Sequence, residues 1–268
     1  MSSAAAEPQA YADGVDLSAP FAARLTRVSK VFDHSSPLPP VLEEVSLTVA
    51  PGEFVSLLGA SGCGKSTILN LIAGLDQPTS GLVELPEARK PALMFQESAL
   101  LPWLSAGRNI DLALRLRGFP RADRRTEVER LLDLVHLNGT YDKKVHELSG
   151  GMRQRVALAR ALAQDTSILL MDEPFAALDA ITRDVLHEEL IRIWHEEQIA
   201  VVFVTHNVRE AVRLGQRVLL MSSRPGRMVR QWQIEIEGPR RIESPAVAEL
   251  SVEITDDLRR EIRRHGRH

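Results

Sequence analysis

Four short groups of residues carry side chains fit for phosphate chemistry. The first is Gly59-Ala60-Ser61-Gly62-Cys63-Gly64-Lys65-Ser66-Thr67. Its glycines let successive backbone N–H groups curl round phosphate oxygens, and a helix starting behind them turns its positive end on the same anion. Lys65 can reach the β and γ phosphates of a nucleotide, and Ser66 offers a hydroxyl to Mg²⁺. The second is Asp172-Glu173-Pro174, behind the apolar residues 167–171. One carboxylate suits a metal shell and the other suits the place where water attacks. The third, Thr205-His206-Asn207, closes a further apolar run at 200–204 and points His206 toward the same cleft. The fourth is Leu148-Ser149-Gly150-Gly151-Met152-Arg153-Gln154-Arg155. By itself it is a modest signal for an anion-binding helix start. Cys63 reads as a small tolerated residue of the loop rather than a reactive thiol, because no base lies near it in sequence.

These groups need a frame. Residues 1–20 are small and polar with scattered prolines and read as a disordered tail. Residues 23–32 and 41–49 read as antiparallel strands, and 53–58 as a buried strand feeding the loop and a helix over 68–75. Short strands at 82–85 and 91–95 end at Gln96, where the chain hands over to a new lobe. Helices are expected at 109–116, at 121–137 with Val128, Leu131, Leu132 and Val135 on one face, and at 152–163. Residues 97–162 thus form an all-helical insertion. Strand and helix alternate again over 167–221, a turn follows at 222–227, and a strand over 228–236 returns. A linker and a terminal helix over 247–264 finish the chain. The alternation predicts an α/β fold with a mostly parallel main sheet. Within the insertion, Leu100-Leu101-Pro102-Trp103-Leu104 is an apolar loop that suits either local packing or a docking surface.

Composition narrows the setting. The chain has 268 residues, 44% of them hydrophobic, and a net charge of −3. That supports a large core and gives no basic field of the kind that points to nucleic acid. One cysteine excludes disulfides and cysteine-based zinc sites and fits a reducing compartment. No apolar run approaches the roughly 20 residues of a membrane helix, and residues 1–10 do not read as a signal peptide. The expectation is a soluble, cytoplasmic protein that meets a membrane only through a partner. The basic residues Arg259, Arg260, Arg263, Arg264 and Arg267 read as a solvated helix face and tail.

The phosphate loop, Gln96, the run Leu148 to Arg155, residues 167–174, Ala177-Leu178-Asp179 and His206 occur in an order that resembles the nucleotide-binding subunits of ABC transporters, over about residues 22–236. The resemblance implies a P-loop NTPase with a RecA-like core sheet, an N-terminal antiparallel β subdomain and an inserted α-helical subdomain. It implies ATP and Mg²⁺ as ligands, and two copies facing head to tail around two ATP molecules. In that scheme Glu173 is the general base. Ser66 and Asp172 hold Mg²⁺, with Gln96 touching metal and water. His206 keeps the γ phosphate and Glu173 in register. Ser149, Gly150 and Gly151 of the other copy close over the γ phosphate, with Asp179 at the seam. Phe32, in Ser29-Lys30-Val31-Phe32, matches an adenine-stacking aromatic, although a core position would suit it equally. Two departures are Met152, where many members carry Gln, and Ala176, where Ser is common. Both should be tolerated.

Three stretches look like importers of the nitrate, sulfonate and taurine group: residues 94–103, 178–183 and 221–227. The implied partners are two membrane permease subunits and, indirectly, an extracytoplasmic solute-binding protein. The implied place is the cytoplasmic face of the inner membrane, with aliphatic sulfonates as first choice of solute. The competing readings are a non-transport ATPase of the superfamily, in DNA repair or translation, and an exporter. The first would be expected to carry coiled coils, zinc modules or two fused ATPase domains, and the second a fused permease.

Overall fold

The computed structural model describes residues 9–10, 19–32, 39–86, 89–238, 240–241 and 243–265. In chain order, β1 (Gln9–Ala10), β2 (Ala23–Lys30), β3 (Leu42–Val49), β4 (Phe54–Leu58), α1 (Lys65–Ile72) and β5 (Ser80–Glu84) come first. Then follow β6 (Ala92–Met94), α2 (Ala106–Leu116), α3 (Arg124–Leu134), α4 (Gly150–Leu162), β7 (Ile168–Asp172) and α5 (Ala180–Glu197). The chain continues with β8 (Ala200–Val204), α6 (Val208–Leu214), β9 (Arg217–Met221), β10 (Met228–Gln233) and α7 (Pro245–His265). Two compact units result, one made of Met1–Pro86 with Ala200–His268, the other of Glu87–Ile199.

In the first unit β4 lies between β8 and β9 and pairs parallel with both. All five residues of β4 and of β8 are buried. Strands covered on both faces read as continuous apolar runs rather than alternating ones, and Phe-Val-Ser-Leu-Leu and Ala-Val-Val-Phe-Val do so. β10 adds antiparallel to β9, and Gln9–Ala10 pairs with β10. The rest of the stretch read as a disordered tail falls outside the described residues up to residue 18. A separate antiparallel sheet has the order β3-β2-β5. Its third strand comes from beyond α1, where Gly81 at φ +87° passes so close to Arg27 that a Cβ there would stand 2.3 Å from its carbonyl oxygen.

The C-terminal helix is not simply a solvated basic segment. Val247, Leu250 and Ile254 of α7 enter a buried cluster with Trp232, Val208, Val212 and Leu58. Trp232 Nε1 donates to Glu253 across 2.9 Å, and Arg230 pairs with Asp257 at 2.6 Å. The exposed arginines lie on the opposite face, so α7 is amphipathic and closes the β10 side of this unit.

In the second unit β6 and β7 pair in parallel, and α2, α3, α4 and α5 accompany them. Three of these helices start on a capped N-terminus. Ser105 accepts from Arg108 N, Ser149 from Met152 N, and Asp179 from Thr182 N. Each cap satisfies one of the backbone donors that a helix start leaves open. Capping by Ser149 starts α4 at Gly150, two residues before the expected Met152. Among the described residues no helix is long and apolar enough to cross a membrane.

Candidate nucleotide site

The phosphate loop runs from the end of β4 into α1. Gly62 has φ +75° and Gly64, the residue before α1, has φ +101°, where a side chain would be strained. Ser61, Gly62 and Ser66 are exposed, whereas Cys63 and Lys65 are buried. Lys65 Nζ donates to the carbonyls of Gly59 and Ala60, both at 2.9 Å, and lies 3.8 Å from Cys63 Sγ. The ammonium therefore sits inside the curl of the loop. Burial pushes the Cys63 thiol up, against the pull of Lys65, so the thiol form dominates and the residue is a packing element.

The loop has a buttress that sequence reading did not assign. Gly226, after β9, accepts from Glu43 N and donates to Val41 O. A Cβ at Gly226 would stand 2.2 Å from the Cys63 carbonyl oxygen and 3.0 Å from that of Val41. Both neighbours are backbone and cannot swing aside. Gly226→Ala is expected to lower stability by about 1–3 kcal/mol through overpacking. Because the displaced atom belongs to the loop itself, ATP affinity should fall about tenfold, equivalent to one charge-assisted contact. Equilibrium binding of a fluorescent ATP analogue checks this. Wild-type affinity in the variant would show that the loop does not lean on Gly226.

His206 lies at the carboxyl end of β8, next to the end of β4 from which the phosphate loop springs, as Thr205 N donates to Leu57 O at 3.3 Å. His206 is exposed and is held between Thr205, whose hydroxyl donates to Glu210 at 2.5 Å, and Asn207, which caps α6. Parallel sheets bind ligands outside these strand ends. Phe32 is 63% exposed, which removes the core alternative, and Lys30 Nζ lies 4.9 Å from its ring centre.

The second unit carries the remaining candidates. Asp172 ends β7 and Glu173 follows it, both half-buried. Glu173 has φ +45°, a left-handed backbone that a non-glycine residue adopts at a cost. Asp172 carries a hard carboxylate oxygen, the donor type that suits Mg²⁺. Gln96 is exposed, and its carbonyl accepts from Gln154 Nε2 at 2.8 Å. Arg160 donates to the carbonyls of Ala99 at 2.7 Å and Ser98 at 3.0 Å. Thus α4 holds the loop after Gln96 by three hydrogen bonds. Gln154 lies in the run Leu148 to Arg155, and nothing in its local spacing points to Gln96.

Two motifs far apart in sequence meet here. A Cβ at Gly151 would stand 2.6 Å from Thr182 Cγ2, and one at Gly150 would stand 3.4 Å from Leu178 Cδ2. The start of α4, with Ser149 exposed, therefore packs on the start of α5, where exposed Asp179 caps the helix. The Thr182 N–H holds the Asp179 carboxyl below its ordinary range. Gly151 has to be small for this approach, whereas at Gly150 a Cβ would make ordinary contact.

The same helices are pinned further along by Arg155 Nε and Glu189 Oε2 at 3.0 Å. The Glu189 carboxylate is buried, and burial pushes its pKa up to about 7 despite Arg155 and Arg192. An acid whose folded pKa is raised adds stability at low pH and loses it as pH climbs. The unfolding midpoint should therefore fall as pH rises from about 4.5 to about 7. Glu189→Gln should flatten that slope, and thermal scans across the window would detect an unchanged slope if another group were responsible.

The apolar loop after Gln96 divides between its two readings. Leu100 is buried, and Asn109 binds Leu101 through both its amide atoms, whereas Trp103 is 70% exposed.

A phosphate loop between a central parallel strand and a helix, with an acidic strand end and a capped Ser-Gly-Gly helix start, defines an α/β ATPase of the P-loop class. The chain belongs to the ABC transporter family, whose family model, described as "ABC transporter", matches residues 42–176. It is 41% identical to the uncharacterized ABC transporter ATP-binding protein MJ0412 of Methanocaldococcus jannaschii, over 89% of this chain and 92% of that one. It is 44% identical to the taurine import ATP-binding protein TauB of Burkholderia pseudomallei, over 82% and 90%. It is 45% identical to the nitrate import ATP-binding protein NrtC of Synechococcus elongatus, over 83% of this chain and 36% of that longer one. Among solved structures it resembles the dimeric ATP-binding cassette MJ0796 bound to ADP and Pi. The TM-score is 0.69 at 33% identity, covering 80% of this chain and all of that one. The fold is that of an ABC ATPase.

Proposed function

We propose that this chain is the ATP-hydrolysing subunit of an importer for a small oxyanion, working as a head-to-tail pair on a separate membrane permease. The observation that carries the reading is the packing of the Ser149-Gly150-Gly151 helix start on the Asp179 segment. The α4 start, with Ser149 exposed, offers an anion-facing helix end apart from the phosphate loop, which suits a second copy's ATP. The solved relative described as dimeric with ADP and Pi supports the same arrangement.

The roles follow from the chemistry of each group. Residues 59–67 cradle the phosphates, and Lys65 exchanges part of its hold on Gly59 and Ala60 for phosphate oxygens. Ser66, Asp172 and Gln96 would hold Mg²⁺, which would supply positive charge to offset that of the phosphates. Glu173 is the base for the attacking water, and its strained backbone suits a group aimed for chemistry. His206 steadies the γ phosphate, and Phe32 offers an open ring face to adenine. Ser149, Gly150, Gly151 and Asp179 serve the partner's ATP.

Permease binding fits a groove of about 650 Å³ in the helical lobe, lined by Leu112, Ala113 and Leu116 together with Arg89, Lys90 and Arg117. The subunit would then sit at the cytoplasmic face of the inner membrane, with an extracytoplasmic binding protein delivering solute. Aliphatic sulfonates are the first choice of solute, since taurine import names recur among the relatives, with taurine itself and nitrate next. None of the relatives reported supports a role in DNA repair or translation. Deleting the gene and growing the source organism on an alkanesulfonate as sole sulfur, or nitrate as sole nitrogen, tests this. Normal growth on the sulfonate with loss on nitrate would remove the sulfonate assignment.

A further inference from the structure

The helical lobe holds a second cationic site that the ATPase reaction does not use. A cleft of about 570 Å³ is lined by Asp111, Arg115, Arg121, Arg124, Arg125 and Tyr141. Four arginines and one aspartate thus line it. Asp111 is 3.7 Å from Arg124, too far for a hydrogen bond, and Arg124 Nε is buried without a hydrogen-bond partner. Arg125 is satisfied otherwise, by Glu129 at 2.6 Å and by the Tyr141 ring, whose centre lies 3.4 Å from the guanidinium carbon. Arg115 and Arg121 make no ion pair among the described residues.

Two further features favour a bound anion. Arg124 and Arg125 open α3, at the end where the helix is already positive, and the Asp123 side chain makes no cap hydrogen bond there. Cations at a helix start are electrostatically unfavourable, and an anion relieves both the helix and the arginines. The wall is also preformed. Tyr141 lies against Gly107, where a Cβ would come within 2.2 Å of the ring, so Tyr141 and through it Arg125 are held in place by α2.

From this convergence we infer that the cleft binds a multivalent phosphoryl-type anion. Its volume falls within the range of small-ligand sites, and forked guanidinium groups match phosphate oxygens. The anion stands between Arg115, Arg121 and Arg124.

Calorimetric titration of inorganic pyrophosphate into the full chain, saturated with ADP and free of Mg²⁺ so that the phosphate loop is filled, tests the site. The wild type should bind one pyrophosphate per chain. Arg115→Gln with Arg121→Gln should weaken it about tenfold or more while leaving ADP affinity and the unfolding midpoint unchanged. Arg121→Gln alone, at an exposed position, should give a smaller loss in the same direction. Sedimentation with phosphatidylcholine vesicles, with and without phosphatidic acid, separates the sources of the phosphoryl group. Arginine-dependent binding to phosphatidic acid vesicles assigns the site to lipid headgroups, and binding of pyrophosphate alone assigns it to a free anion. No pyrophosphate or phosphatidic acid binding by the wild type, or binding that survives both substitutions, overturns the inference.

Discussion

Glu173→Gln should bind ATP as tightly as the wild type and lose turnover by about 10²–10⁴-fold, the usual contribution of a positioned general base. The change is nearly isosteric, so it keeps the strained backbone at φ +45° and removes only the proton acceptor. With ATP bound and not consumed, the variant should accumulate as a closed dimer on size-exclusion chromatography, whereas the wild type should return to monomer. Phosphate release measured at saturating ATP reads the loss. Turnover at the wild-type rate would remove Glu173 as base and leave its strain without a catalytic explanation. A variant that lost ATP binding as well would assign Glu173 to ground-state binding instead.

Gly151→Asp should abolish hydrolysis while leaving ATP affinity of the isolated chain within about twofold, well below the tenfold loss of a 1.4 kcal/mol contact. The aspartate Cβ meets the Thr182 methyl at 2.6 Å, and its charge stands at the helix start proposed to take a phosphate. In the proposed head-to-tail arrangement both defects lie on the face offered to the partner. The decisive measurement mixes Gly151→Asp with Lys65→Ala. Neither variant alone should hydrolyse ATP, but a mixed dimer has one site with an intact phosphate loop from one chain and an intact Ser-Gly-Gly start from the other. Partial activity on mixing is expected. No recovery despite mixed-dimer formation, or loss of ATP binding by Gly151→Asp alone, would overturn the head-to-tail arrangement.

Much of the candidate site is legible in the sequence because its chemistry depends on short-range geometry. A glycine at positive φ, a Ser or Asp cap three residues ahead of its N–H partner, and a carboxylate at the end of an apolar strand each act within a few residues. Gly64 and Asp172 could therefore be assigned locally, whereas Ser149 and Asp179 took their roles from the family resemblance and show themselves as caps only in the fold. The extra carboxyl-side strands of the main sheet, and the antiparallel sheet with β5, were legible as elements, but their pairing needed the fold.

The rest depends on approaches between distant residues. Gly226 looked like part of a turn, and only the 2.2 Å approach to Cys63 shows why it must lack a side chain. Gln154 and Arg160 looked like ordinary helix residues until their hydrogen bonds to the loop after Gln96 were seen. The Leu100 to Leu104 loop could be packing or interface, and the fold divides it between buried Leu100 and exposed Trp103. Phe32 could be core or surface, and the fold exposes it. The arginines of the terminal helix read as a solvated face and are exposed, while the burial of Val247, Leu250 and Ile254 against Trp232 on the other side needed the fold.

The sequence by itself determined the class of chemistry, since phosphate loop and acidic strand end are local devices whose function follows from backbone geometry and charge, and the Ser-Gly-Gly run takes its meaning from its place between them. The three-dimensional fold alone decided which glycines are sterically obligatory, which arginines are left without counterions and which carboxylate is pushed toward neutrality. Those properties are sums over neighbours brought together from distant parts of the chain, and steric exclusion and desolvation act only once those neighbours are in place.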